Sequence, residues 1–162
     1  MNRIGDNLIH FGANEAVVRA LLDAGAKFVV VGGLAVAWHC TERQADDMDL
    51  LIDPTIENSA RTSKALAQLG LTGFTLESFA RPGLQVPLKQ NYYAELLTPE
   101  SGGLSYTEVE STAVSARLFG LPVLVASVAT LLKMKRHAAA AADGQRQKHE
   151  ADIALLELRD DA

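Results

Sequence analysis

Apolar residues along this chain follow two rhythms. From Ala13 to Ala24, Val17, Leu21 and Leu22 recur at helical spacing and Gly25 stops the run, which predicts a helix. The next stretch, KFVVVG from Lys27 to Gly32, is β-branched and ends on glycine, which predicts a buried strand. Gly33 to Cys40 predicts a short helix of small residues. MDLLID, Met48 to Asp53, predicts a second buried strand, closed by Pro54. Thr55 can cap a helix that runs to Leu69, where Gly70 ends it. LQVPLK and YYAELLT predict a hairpin, with Pro87 pushing its first strand to a sheet edge. TAVSARLFGLPVLVAS reads as two strands around a turn containing Gly120. Ser127 is placed to cap a helix through Ala139. The tract from Ala138 to Gln145 reads as a frayed helix end and a loop. A last helix spans about Gln147 to Leu158, with Ile153, Leu155, Leu156 and Leu158 as a broad apolar face.

Helices and strands in this order predict a small mixed sheet with helices packed on it, an α/β or α+β architecture. The 162 residues suit one domain, with a core at about 27–125 and a C-terminal helical part at about 127–160. Hydrophobic residues make up 48% and charged residues 22%, the balance of a globular chain rather than a disordered one. The net charge of -5 argues against a general nucleic-acid coating protein. The single cysteine, Cys40, excludes an internal disulfide framework and reads as a packing residue of a reducing, cytoplasmic protein. The first residues show no basic-then-apolar signal pattern, and no apolar run reaches the ~18 residues of a membrane helix.

Candidate chemistry centres on VVVGGLAVAWHCTERQADDMDLLID, Val29 to Asp53. Asp47 and Asp49 are spaced i, i+2, so in a strand they share a face. Two carboxylates held together repel, and a divalent cation beside them is the usual compensation; Mg²⁺ takes hard oxygen ligands and completes its shell with substrate phosphates. The alternative is a solvated turn in which Asp46 and Asp47 cap a loop. Gly32 and Gly33 follow a strand and open a helix, where close backbone approach and free N–H groups favour phosphate oxygens. A phosphate cradle at one strand end and a metal clamp at the next suit phosphoryl or nucleotidyl transfer. Glu95, an acid in the apolar and aromatic YYAELLT, is the candidate third carboxylate, since a charge there needs a partner or a metal. An edge residue facing water is its other reading.

The stretch VGGLAVAWHCTERQADDMDLLID resembles the signature of the polymerase-β-like nucleotidyltransferase superfamily, in particular small bacterial proteins related to AbiEii-type toxins of type IV toxin–antitoxin systems. The matching positions are Gly32 and Gly33, His39, Arg43, and Asp47 with Asp49. AELLT resembles the strand bearing the third acid, here Glu95. VLVASVATLLKMKRHAA and RQKHEADIALLEL resemble the C-terminal stretch, with Lys135 as its lysine, Lys133 as a second choice, and Arg146, Lys148 and Asp152 as its basic–acidic cluster. Three positions depart from the pattern. Gly33 and then Leu34 stand where many members have serine, Ala45 replaces a common threonine, and Glu95 replaces the more usual aspartate.

The resemblance implies transfer of a nucleoside monophosphate from an NTP to an acceptor, with Mg²⁺ or Mn²⁺ as cofactor. Asp47, Asp49 and Glu95 would hold metal, and Glu95 would help deprotonate the acceptor. Gly32, Gly33, Arg43 and Lys135 would bind nucleotide. It further implies a tRNA, protein or small-molecule acceptor and, for the toxin-like members, a cognate antitoxin or regulator. The rival implication, favoured by the departures, is a fold that has lost its chemistry and serves as a binding partner.

Other residues read more simply. His39 ends an alanine-rich helix, where a histidine also suits the helix dipole. Arg43 precedes the acids and is expected to orient Asp47 or Asp49 through a bidentate pair. In KMKRH, Leu131, Met134 and Ala138 form an apolar stripe, and the Lys135 stem can edge the core while its head reaches a cleft. Lys148 and Asp152, four apart, suit a helix ion pair. Trp38, Tyr92 and Tyr93 read as core aromatics before base-stacking ones.

Overall fold

In the computed structural model of the chain, which describes residues 11–45, 47–88, 92–141 and 146–160, α1 (Phe11–Asp23) buries Val17, Val18 and Leu21 completely. It stops where expected. Gly25 takes φ +72°, and the N–H groups of Gly25 and Ala26 return to the carbonyls of Leu22 and Leu21. β1 (Phe28–Val31) follows, buried at every residue. α2 (Gly32–His39) starts at once, with Leu34 to Ala37 inaccessible to solvent. β2 (Met48–Ile52) returns antiparallel to β1, pairing Phe28 with Ile52 and Val31 with Asp49.

Thr55 caps α3 (Ile56–Gln68) by accepting from the Asn58 N–H at 3.2 Å. Asn58 is itself buried. Its side chain accepts from the Lys27 N–H and donates to the carbonyls of Lys27 and Asp53, tying the start of β1 to the end of β2. β3 (Gln85–Pro87) is the sheet edge that Pro87 predicts, and it pairs antiparallel with β4 (Ala94–Leu97). α4 (Tyr106–Ser111) was not anticipated, although Ser105 and Glu108 form the reciprocal capping box that announces a helix start. β5 (Val114–Leu118) and β6 (Leu121–Val125) form the second hairpin, and Phe119 and Gly120 both take positive φ in its two-residue turn.

The six strands form one mixed sheet in the order β3-β4-β2-β1-β6-β5. β1 runs parallel to β6, and β2 runs parallel to β4. α5 (Val128–Ala141), capped by Ser127 through the Thr130 N–H, packs along α6 (Arg146–Asp160), and α2 touches both, while α1 packs on α3. This is the predicted α/β architecture.

Two expectations change. Ile153, Leu155 and Leu156 of the proposed apolar face pack on the core, but Leu158 is 66% exposed, and His149 and the buried Asp152 also turn inward on α6. In α5, Leu131, Met134 and Ala138 share a stripe as expected, but the stripe lines a cleft. Asp46 and the loop 142–145 lie outside the described residues. Among the described residues, no helix is long and apolar enough to cross a membrane.

Candidate active site

The parallel pairing of β2 with β4 sets Asp49 opposite Glu95. Directly paired residues of a sheet project from the same face, so the two carboxylates are neighbours on one side of it. The entry to β4 is fixed from outside the sheet. The buried Asn14 side chain accepts from the Tyr93 N–H at 3.1 Å and donates to the Tyr93 carbonyl at 3.0 Å, and that carbonyl also accepts from the Met48 N–H at 2.9 Å. The register that brings Glu95 to Asp49 is therefore pinned two residues upstream.

Asp49 is mostly buried, and its pKa is pushed up to about 6, first by loss of hydration and then by the Glu95 charge. Lys135 and Lys148 pull it the other way, and Asp47 adds to the rise. Asp47 itself is exposed at the mouth of the strand. Gly32 lies directly against Asp49. It takes φ +67°, and a Cβ at that position would stand 2.3 Å from the Asp49 Oδ2. Only glycine permits this turn from β1 into α2 beside the carboxylate. No side chain caps the start of α2, so its first N–H groups carry no side-chain partner.

Gly32, Asp49, Glu95, Lys135 and His149 line a cleft of about 730 Å³. Its walls include Leu84, Leu97, Leu104 and Leu131, and Met134 and Ala138 from α5. Gly33 is placed differently: its missing Cβ would sit 2.8 Å from an Nη2 of Arg43, so the guanidinium covers it.

Arg43 does not pair with Asp47 or Asp49, contrary to the sequence expectation. Its Nε donates to Asp152 Oδ1 at 2.7 Å and its Nη2 to Oδ2 at 3.4 Å. Lys135 reaches the same carboxylate, Nζ to Oδ2 at 3.1 Å. Burial alone would raise the Asp152 pKa, but the Arg43 hydrogen bonds and the Lys135 charge outweigh it and hold the carboxyl below its usual range. The expected Lys148–Asp152 pair is thus replaced by a buried three-residue cluster joining the α2–β2 loop to α5 and α6. Lys148 is exposed.

His39 is structural in this arrangement: its Nε2 donates to the Ala126 carbonyl at 2.8 Å, its ring meets Trp38 edge-on, and burial lowers its pKa. Cys40 is fully buried, and burial raises its thiol pKa, as suits a packing residue. Trp38, Tyr92 and Tyr93 are not among the residues lining the cleft. His149 escaped the sequence reading. It lies one helical turn before Asp152 on the inward side of α6, its buried Nδ1 has no hydrogen-bond partner among the described residues, and burial together with Lys135 lowers its pKa.

No family model matches the chain, and no curated protein matches it in sequence. Solved structures do match in fold. An antigenic nucleotidyltransferase-like protein from Paracoccidioides brasiliensis superposes with a TM-score of 0.56 at 16% identity, over 89% of this chain and 74% of that one. ANT(2″)-Ia, solved in complex with adenylyl-2″-tobramycin, superposes with a TM-score of 0.53 at 15% identity, over 88% of this chain and 84% of that one. The chain has a nucleotidyltransferase-like fold.

Nucleotidyltransferases generally use a divalent metal. Among the described residues, no three His, Cys, Asp or Glu side chains stand together as a ready-made metal site. The donor set nevertheless fits Mg²⁺ or Mn²⁺. Asp49 and Glu95 offer adjacent hard oxygens, and Mg²⁺ is usually held by one or two carboxylates, with water and substrate phosphates filling the rest. Burial first and the Glu95 charge second raise the Asp49 pKa, and a cation beside the pair would lower it again.

Proposed function

We propose that this chain is a divalent-metal-dependent nucleotidyltransferase that moves an NMP from an NTP to an acceptor hydroxyl. The carrying observation is the Asp49–Glu95 juxtaposition against Gly32 in a cleft that also holds Lys135. Asp49 and Glu95 would hold the metal, with Asp47 at the strand mouth as a further carboxylate ligand. The metal supplies charge neutralisation for the triphosphate. Gly32 lets the backbone come close to the phosphates. Gly33 shapes the same turn, with the Arg43 guanidinium laid across it and supporting the site through Asp152. Lys135 offsets phosphate charge as a point charge. Glu95 accepts the acceptor's hydroxyl proton. The freed oxygen bonds to the α-phosphorus, the bond to the β-phosphate bridge breaks, and pyrophosphate leaves.

The toxin-like resemblance points to tRNA or a protein as acceptor and to a cognate antitoxin or regulator. A volume near 730 Å³ suits a nucleotide or another small molecule, and the net charge of -5 gives no support to an extended RNA surface. The deciding assay incubates the protein with each labelled NTP, Mg²⁺ or Mn²⁺, and either total RNA or hydroxylated small molecules. Label transfer that disappears in Asp49→Asn and Glu95→Gln supports the enzyme. Nucleotide binding without transfer to anything supports the second reading, a binding partner that has lost catalysis, which the exposed Asp47 favours. Neither binding nor transfer overturns both.

A further inference from the structure

Beside the cleft, the carboxylates of Asp49, Glu95 and Asp152 are unevenly matched with the cations of Arg43 and Lys135. Asp152 is 1% exposed and takes both Arg43 and Lys135, while Asp49 and Glu95 face one another with no ion pair of their own among the described residues. Lys135 lines the same cleft as those two acids. The Lys135 ammonium, a point charge on a flexible four-carbon stem, is ion-paired with Asp152 at 3.1 Å. Asp152 is in turn held by the Arg43 fork at 2.7 and 3.4 Å.

We propose that Asp152 is a positioning residue that anchors the Lys135 ammonium at the cleft edge and keeps it off the Asp49–Glu95 pair. The pair then stays open to a divalent cation, and Lys135, with one of its three donors taken, keeps two for phosphate. Without Asp152, the ammonium would fall onto Asp49 and Glu95 and take the cation's place. An opposite charge within ~4–6 Å biases a carboxylate by about one to three powers of ten, which sets the size of the effect.

This rests on the metal-binding part of the function proposed above, and the experiment separates the two. Mn²⁺ binding is titrated by electron paramagnetic resonance in the wild type, Asp152→Asn, Asp152→Glu, Lys135→Met and the double variant Asp152→Asn/Lys135→Met. The single Asp152→Asn change should weaken Mn²⁺ binding about tenfold or more. Asp152→Glu should largely restore it. The double variant should bind as Lys135→Met does, because the intruding ammonium is gone; a damaged fold would not be repaired by losing a second residue. A crystal structure of Asp152→Asn should show Lys135 Nζ within about 4 Å of Asp49 or Glu95.

The proposal is overturned if Asp152→Asn binds Mn²⁺ like wild type, or if its Lys135 remains beside position 152. It is also overturned if the double variant binds much more weakly than Lys135→Met. Should Asp152→Asn fail to fold, the comparison of the double variant with Lys135→Met decides alone. Should the wild type bind no Mn²⁺, the metal reading falls, and the place of Lys135 in the Asp152→Asn crystal structure still decides this inference.

Discussion

Replacing Asp49 with asparagine should stabilise the metal-free protein at neutral pH while abolishing nucleotidyl transfer. Folding carries the Asp49 pKa from 3.8 to about 6, chiefly by burial and then by the Glu95 charge. Between those values the folded state binds a proton that the unfolded chain does not, so stability falls as pH rises from about 4 to about 6. A shift of about two units corresponds to ~3 kcal/mol as a ceiling, and residual solvent contact brings the expectation to about 1–3 kcal/mol. The asparagine carries no charge and escapes this penalty. In urea unfolding at pH 7.5 the variant should gain about 1–3 kcal/mol, the gain should be much smaller at pH 4, and it should vanish only at about pH 3 and below, where Asp49 is protonated in both states. For a chain of this length that is a rise of several degrees in Tm, at about 2–4 °C per kcal/mol. Mn²⁺ should then raise the Tm of the wild type and leave the variant unmoved. A variant no more stable than wild type at pH 7.5, or one whose gain is the same at pH 4, would refute the claim that Asp49 is strained by uncompensated charge.

The remaining expectations follow from single contacts. Gly32→Ala combines a positive φ with a Cβ 2.3 Å from Asp49 Oδ2, so it should lose about 2 kcal/mol or more in unfolding and weaken Mn²⁺ binding. Gly33→Ala involves no positive φ and meets only the Arg43 Nη2, whose bond to Asp152 is the longer one at 3.4 Å, so it should cost less than Gly32→Ala in the same measurement. Arg43→Ala leaves the buried Asp152 with Lys135 alone and should destabilise by about 3 kcal/mol at pH 7. Because the Asp152 pKa is depressed on folding, its contribution is present above the ordinary carboxylate range and lost as pH falls, so the Arg43→Ala deficit should shrink in acid unfolding curves. Asn14→Ala removes both hydrogen bonds to Tyr93, and should cost about 2 kcal/mol and speed amide exchange at Tyr93, read by hydrogen-exchange NMR.

Most of the fold was legible because its signals are local. Gly25, Thr55, Gly70 and Ser127 cap or stop helices by chemistry confined to a few neighbouring residues, and all four act as read. The β-branched run before Gly32 could only be a buried strand. α4 carried a legible signal too, in the S-x-x-E of Ser105 and Glu108, but its six residues hold only Tyr106 and Val109 inward and show no apolar period. The site was legible to the extent that its chemistry is local. The Asp47–Asp49 spacing and the glycine pair are neighbours in sequence, and Glu95 stands out as a charge in an apolar strand. Its pairing with Asp49 depends on register between strands 46 residues apart, which Asn14 helps set from a third element.

The ion pairing of the last helix was misread for a physical reason that bears on function. Apolar period found Ile153, Leu155 and Leu156, which pack on the core, but it carries no signal for the histidine and aspartate that α6 also turns inward. Lys148, one turn before Asp152, was the obvious partner at helical spacing, worth only a few tenths of a kcal/mol on an exposed surface. The actual partners, Arg43 and Lys135, come from 109 and 17 residues away in sequence, and they win because a buried carboxylate needs charge-assisted donors that solvent cannot replace. Their choice redistributes the charge of the whole cleft. With Arg43 and Lys135 committed to Asp152, Asp49 and Glu95 have no ion pair among the described residues, and they lie where Gly32 opens the backbone. On the proposed reading, a cation arriving there would meet two adjacent carboxylates, and the Asp152 cluster that the sequence hid is what would leave Asp49 and Glu95 open to it.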